Sequence, residues 1–140
     1  MMETTILEND ITVFYIPAES FPDGIMEAHN TLHRLVPFSA ERRYYCLSRP
    51  ENGPIEYKAA AEELTRGEAE KFNCPTLVIQ KGSYVSMVIE DYTIDLLSIT
   101  NAFQQLLEYP GLDPQGYCVE WYLNDKDVKC MIRLAELTSN

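Results

Sequence analysis

The feature that most limits what this 140-residue chain can become is that its series of elements runs twice. Residues 11–16 (Ile-Thr-Val-Phe-Tyr-Ile) read as a strand that Pro17 ends. A helix over residues 24–36 follows, with Ile25, Ala28, Leu32 and Leu35 inward at helical spacing, Glu27, Asn30 and Arg34 outward, and Pro37 as its stop. Residues 44–48 form a second strand. A turn over residues 50–54, which includes Asn52, leads to a third strand over residues 55–62, with Ile55, Tyr57, Ala59 and Ala61 on one face. After a polar link over residues 65–73 the series restarts with a strand over 75–81, a bulge or bend at Gly82 and a strand over 84–89. A helix capped by Thr93 or Asp95 runs to about Tyr109, with Leu96, Ile99, Phe103 and Leu106 as its core face. Pro110-Gly111 ends it, and a hairpin closes the chain.

Residue identities support a duplication. Ala28 and Leu32 match Ala102 and Leu106 at an offset of 74, Tyr45-Cys46-Leu47 matches Tyr117-Cys118-Val119 at 72, and Glu63-Leu64 matches Glu136-Leu137 at 73. A period this long means two fused modules rather than a solenoid. The expected fold is α+β: one domain over residues 1–140 with pseudo-repeats over 11–64 and 75–137. Its antiparallel sheet carries two helices on one face and a ligand groove on the other. Seams between such modules are common ligand sites.

Composition removes several function classes. Net charge is −11 and no basic stripe is present, which argues against direct nucleic-acid binding. No apolar run approaches the roughly 18 residues of a membrane span, and the N-terminus lacks a basic leader, so the expectation is a cytoplasmic protein. Cys46, Cys74, Cys118 and Cys130 form no CxxC pair and read as small hydrophobes. Neither Ser48 nor Ser83 sits in a nucleophile motif, and Gly-rich phosphate loops are absent. His29 and His33 are spaced to share a metal, but HNTLH lacks the glutamate of HExxH and a third ligand, so no metal and no cofactor is expected. Glu62, Glu63, Glu68 and Glu70 read as solvated surface.

The stretch Gly116-Tyr117-Cys118-Val119-Glu120-Trp121-Tyr122-Leu123-Asn124-Asp125 carries the chemistry. Strand alternation puts Tyr117, Val119, Trp121 and Leu123 on one face and Cys118, Glu120 and Tyr122 on the other. In the following strand Val128, Cys130, Ile132 and Leu134 share a face. If the apolar faces coincide, Trp121 anchors the core, and Glu120 and Tyr122 face away from it into the groove. Tyr84 is a further candidate wall. A carboxylate among aromatic rings would attract a cation, each ring adding roughly 0.5–2 kcal/mol, or would act as a general base. Two registers compete. A two-residue turn puts Lys129 opposite Glu120, a surface ion pair of little consequence. A four-residue loop puts Met131 there and pairs Leu123 with Val128 and Trp121 with Cys130, which suits the apolar residues better.

The duplicated order, with GYCVEWYLND and DVKCMIRL, resembles the gyrase-inhibitor-like (GyrI-like) small-molecule-binding family, which includes effector-binding domains of bacterial multidrug-responsive transcription regulators. The resemblance runs from about Ile11 to Leu134, is most specific at Glu120-Trp121-Tyr122, and extends to Lys81-Gly82-Ser83-Tyr84. It implies that Glu120 meets cationic, often aromatic, ligands in the groove. Regulators of this family carry a helix-turn-helix ahead of the ligand domain; here about ten residues precede the first expected strand, which suggests a stand-alone ligand domain. Some stand-alone relatives sequester drugs, some inhibit gyrase, and some hydrolyse cyclopropane-containing toxins. The counterpart of Glu120 in the first repeat is Ser48, so no symmetric carboxylate pair is expected. The reading is a binding protein for a cationic or amphipathic drug-like molecule, through Glu120, Tyr122 and Tyr84. The alternatives are a hydrolase with Glu120 as base, or a module that binds a protein partner such as gyrase or a regulator.

Overall fold

The computed structural model describes residues 2–51, 53–95 and 97–135. The readings made for Asn52, Leu96, Glu136 and Leu137 lie outside the described residues. In chain order the elements are β1 (Glu3–Leu7), β2 (Ile11–Pro17), α1 (Ile25–Leu35), β3 (Tyr44–Pro50), β4 (Ile55–Glu62), α2 (Glu68–Lys71), β5 (Thr76–Ile79), β6 (Gly82–Ile89), α3 (Ser98–Leu106), β7 (Cys118–Tyr122) and β8 (Val128–Arg133). The class is α+β with antiparallel strand pairs, and the expected order of strand, helix, strand, strand recurs as β2-α1-β3-β4 and β6-α3-β7-β8. Two elements were not foreseen, β1 and the one-turn α2. The chain divides into two compact units, residues 10–79 and residues 80–140 joined by residues 1–9.

In the unit of residues 10–79 the strands lie in the order β3-β4-β2-β5. Helix α1 packs on β2 and β4 through Ala28 and Leu32. Leu35, expected inward, is largely exposed. The chain turns extended at Val36, whose φ of −114° and ψ of 119° end the helix, and Val36 is buried instead. Gly24 precedes the helix where the backbone folds back on itself. A Cβ there would lie 2.7 Å from the Ser20 carbonyl oxygen, so only glycine fits without displacing main chain. The face under α1 carries Tyr57, Ala59 and Ala61 of β4, as the alternation required, with Cys46 opposite Ala59 and Phe14 opposite Ala61. Helix α2 is held by Glu68, which accepts from Arg42 Nη1 and Nη2 at 3.1 and 3.0 Å and from the Thr65 backbone N–H at 3.1 Å. Three of the four acids assigned to open surface are therefore clamps, since Glu62 likewise pairs with Arg43 at 2.7 Å and Glu63 accepts the Ala69 backbone N–H at 3.1 Å.

In the other unit the order is β1-β6-β8-β7. Helix α3 packs on β6 and β8, and Ala102 and Leu106 join Val85, Val128, Cys130 and Ile132 in one buried cluster, with Ile99 and Phe103 against it. Asp95 rather than Thr93 prepares the helix start: its Oδ1 accepts the Leu97 backbone N–H at 2.9 Å, whereas Thr93 bonds Asp91. Strand β1 escaped the sequence reading because Glu3, Thr4 and Thr5 show no apolar alternation. It is an edge strand, and its Thr5 hydroxyl meets the Ser86 hydroxyl on β6 at 2.8 Å. Gly82 opens β6 with φ of +136°, and the Arg133 guanidinium packs 3.1 Å from where a Cβ would stand.

Candidate functional site

The hairpin of β7 and β8 decides what surrounds Glu120, and its register matches neither expected register. Tyr122 stands opposite Val128, Trp121 opposite Lys129, Glu120 opposite Cys130, Val119 opposite Met131 and Cys118 opposite Ile132. The connection is a five-residue loop, residues 123–127. Asn124 organises it: its Oδ1 accepts from the Lys126 and Asp127 backbone N–H groups, both at 2.9 Å, its Nδ2 donates to Asp127, and the Leu123 N–H bonds the Asp127 carbonyl at 3.0 Å. Asp127 in turn accepts the Asp91 backbone N–H at 2.9 Å, which fixes the loop against the end of β6.

One residue of register turns every side chain of a strand to the other face. Cys130 and Ile132 lie beneath α3, so their partners Glu120 and Cys118, together with Tyr122, share the helix-covered face. The expectation that Glu120 and Tyr122 face away from the core is thus overturned, because the loop has an odd number of residues. Trp121, expected in the core, lies on the helix-free face, and the Lys129 ammonium stands 5.3 Å from its ring centroid. Lys129 therefore belongs to Trp121 and does not pair with Glu120.

Glu120 is 7 % exposed, a charge-bearing group opposite buried Cys130. Desolvation makes such a carboxylate costly unless hydrogen bonds hold it. The Tyr122 hydroxyl donates to its Oε1 at 2.5 Å, from two residues along the same face. Tyr92 meets the Tyr122 ring edge-on, with centroids 5.7 Å apart, and its backbone N–H bonds the Lys126 carbonyl at 2.8 Å. Sequence reasoning missed Tyr92, which follows β6 in a loop where no periodicity marks it. Two thiols flank the carboxylate. Burial and then the Glu120 charge push Cys118 up to about 11, and burial, Glu120 and Cys118 together push Cys130 higher still. Both stay protonated at neutral pH, which makes them apolar walls rather than nucleophiles.

Tyr84 is not brought to this cluster. Val85 lies beneath α3, so Tyr84 points to the opposite face of β6, where its hydroxyl donates to the Gln80 carbonyl at 2.6 Å. Ser48, the counterpart of Glu120, lies opposite Tyr57 in the other unit. His29 is bound up with neighbours there: its Nε2 lies 3.1 Å from the Tyr57 hydroxyl and 3.2 Å from Cys46 Sγ. Burial, with a smaller push from His33, lowers its pKa and favours the neutral ring. Among the described residues no three His, Cys, Asp or Glu side chains are grouped to hold a metal ion. Among them, too, no helix is long and apolar enough to cross a membrane.

No protein-family model and no curated protein matches the sequence. Solved structures do share the fold. An integron cassette protein from the mobile metagenome of Vibrio cholerae superposes with a TM-score of 0.67 at 13 % identity, over 95 % of each chain. A hydrolase from Listeria innocua superposes with a TM-score of 0.61 at 10 % identity, over 96 % of this chain and 91 % of that one. At such identities the likeness is one of architecture.

Proposed function

We propose that this chain is a small-molecule-binding protein of the GyrI-like kind, in which Glu120 and Tyr122 receive the cationic end of an amphipathic ligand. The observation that carries the reading is a buried carboxylate opposite Cys130 and near Cys118 on the face beneath α3, bonded to the Tyr122 hydroxyl, with the Tyr92 ring against that of Tyr122. In surroundings of low polarity a full positive charge competes well with the phenol O–H for the carboxylate. Aromatic edges and faces would cover the apolar part of the ligand. Tyr84 is left out of this site because its ring lies on the other face of the sheet. Calorimetric titration with tetraphenylphosphonium and rhodamine 6G tests the proposal. Glu120→Gln, which removes charge and little volume, is expected to weaken binding at least tenfold, about 1.4 kcal/mol or more. Unchanged affinity in that variant would sink the role of Glu120.

A second reading is favoured by one observation, the hydrogen-bonded pair of Glu120 and Tyr122, which can exchange a proton with a reacting group. In it Glu120 takes a proton from water as the oxygen bonds to one carbon of a strained ring; the ring C–C bond breaks, and the carbon that keeps its electron pair takes the proton back from Glu120, so that one water is gained in all. The fold shared with the Listeria innocua hydrolase is compatible with such a role. Incubation with cyclopropane-containing toxins, followed by mass spectrometry for the gain of one water, separates the two readings. Absence of any such product across the panel counts against hydrolysis.

A further inference from the structure

The unit of residues 10–79 carries a second feature that the Glu120 reading does not use. Six rings touch in series along α1: Phe21, Tyr57, His29, His33, Tyr44 and Phe38, with neighbouring centroids between 5.6 and 6.5 Å apart. The ends of the row are open. Phe38 is 76 % exposed and lies nearly parallel to Tyr44, at 5°; Phe21 is 43 % exposed and stacks on Tyr57 at 29°. Phe21 precedes the helix and Phe38 follows it, so the two open rings flank an 11-residue helix about 16 Å long.

The Phe38 end is built rather than loose. The Ser39 backbone N–H donates to the Tyr44 hydroxyl at 3.2 Å, and the Arg42 N–H bonds the Ser39 carbonyl at 3.2 Å. An exposed ring held in place on a second ring offers a stacking surface with little conformational entropy left to lose. Acidic residues accompany both ends. Glu19 and Asp23 bracket Phe21, and Glu41 follows Phe38; all are exposed, and none forms an ion pair among the described residues. Of the basic residues nearest Phe38 in sequence, Arg42 is engaged by Glu68 and Arg43 by Glu62, while Arg34 on α1 donates to the Thr31 hydroxyl at 3.4 Å, which leaves the three acids in excess.

From this we infer that the α1 flank is a docking surface for an extended, arginine-bearing segment of a protein partner, with one guanidinium stacked at each open phenylalanine. Arginine fits both parts of the surface, because its planar cation stacks on aromatic faces and pairs with carboxylates. The length of the helix between the two rings sets the spacing. An extended segment advances about 3.3 Å per residue, so two arginines four to six positions apart reach both rings. Charge argues against a second copy of this chain as the occupant, since each carries a net charge of −11 and would set like-charged ends against each other.

The test is an NMR titration of the full chain, following ring 1H–13C signals, with the capped peptide Ser-Arg-Gly-Ser-Gly-Ser-Arg-Ser. Shifts in both the Phe21 and Phe38 rings are expected, with affinity at least tenfold above that of the peptide bearing a single arginine. Replacement of both arginines by lysine is expected to weaken binding several-fold, and Phe38→Ala at least tenfold. Phe38→Trp, which keeps a stacking face, is expected to restore binding. Equal binding of an all-serine control, or no effect of Phe38→Ala in a variant whose spectrum shows it folded, overturns the inference. Two further outcomes also overturn it: concentration-dependent self-association lost in Phe38→Ala, or binding of free arginine amide as tight as that of the two-arginine peptide. None of these measurements involves Glu120, so the inference stands or fails apart from the proposed function.

Discussion

At the scale of single residues, charge in this protein is placed where it holds backbone. Arg42 is buried, donates to the Glu62 carbonyl at 2.7 Å and forks onto Glu68, whose carboxyl it holds at about 2 against an ordinary 4.5. The hydrogen bonds from Arg42 are the chief cause, opposed by burial and reinforced by the backbone N–H groups of Leu64 and Thr65. A folded-state pKa below the unfolded one gives stability that is complete above pH 4.5 and is lost as pH falls toward 2. Denaturant titrations over that range are expected to show this slope in the native chain and a shallower one in Glu68→Gln. Glu68→Ala strands a buried guanidinium and is expected to cost about 1–3 kcal/mol. His29 acts in the same direction at milder acidity. Its pKa lies below 6.5, so its contribution is full above that pH and declines as pH drops below it. His29→Gln is expected to flatten stability between about pH 6.5 and 5, with the midpoint of denaturant unfolding as the readout.

At the scale of elements, the hairpin shows how much a sequence reveals and where it stops. The strands β7 and β8 were legible, and so was the alternation within each, because aromatic and β-branched residues mark both. Their mutual register was not, since it depends on whether the loop holds an even or an odd number of residues. That number was set by the Asn124 side chain, which folds the loop onto its own backbone N–H groups. Asn124 was visible as a turn residue, but nothing in its neighbourhood told a four-residue loop from a five-residue one. The consequence was large. Glu120 exchanged a supposed open face for the face beneath α3, and Trp121 made the opposite move. Asn124→Ala removes three hydrogen bonds from an exposed loop and is expected to lower stability by about 1 kcal/mol. Backbone 15N shifts at Glu120 and Cys130 report whether the register also slips. Leu106, fully buried where α3 meets β8, is a core position; Leu106→Ala is expected to cost about 2–5 kcal/mol, read from denaturant unfolding.

At the scale of the whole chain, the repeated strand–helix–strand–strand order was legible because each repeat carries its own apolar periodicity and its own stop signals. The first strand was not, because an edge strand needs only one good face and β1 presents mostly polar residues. Its place in the fold was also beyond reach of local pattern: Thr4 pairs with Val85 and Thr5 with Tyr84. Removal of residues 1–9 is expected to expose the β6 edge, lower the stability of residues 80–135 and promote self-association, as size-exclusion chromatography with denaturant unfolding would show. A further consequence concerns time rather than energy. Synthesis at roughly 5–20 residues per second separates Thr4 from Val85 by several seconds, on the order of 4–16 s. During that wait the chain between them can already make the pairings of β2 with β4, β2 with β5 and β3 with β4. β1 then waits until β6 has emerged, so a strand made before β2 to β5 is paired after them.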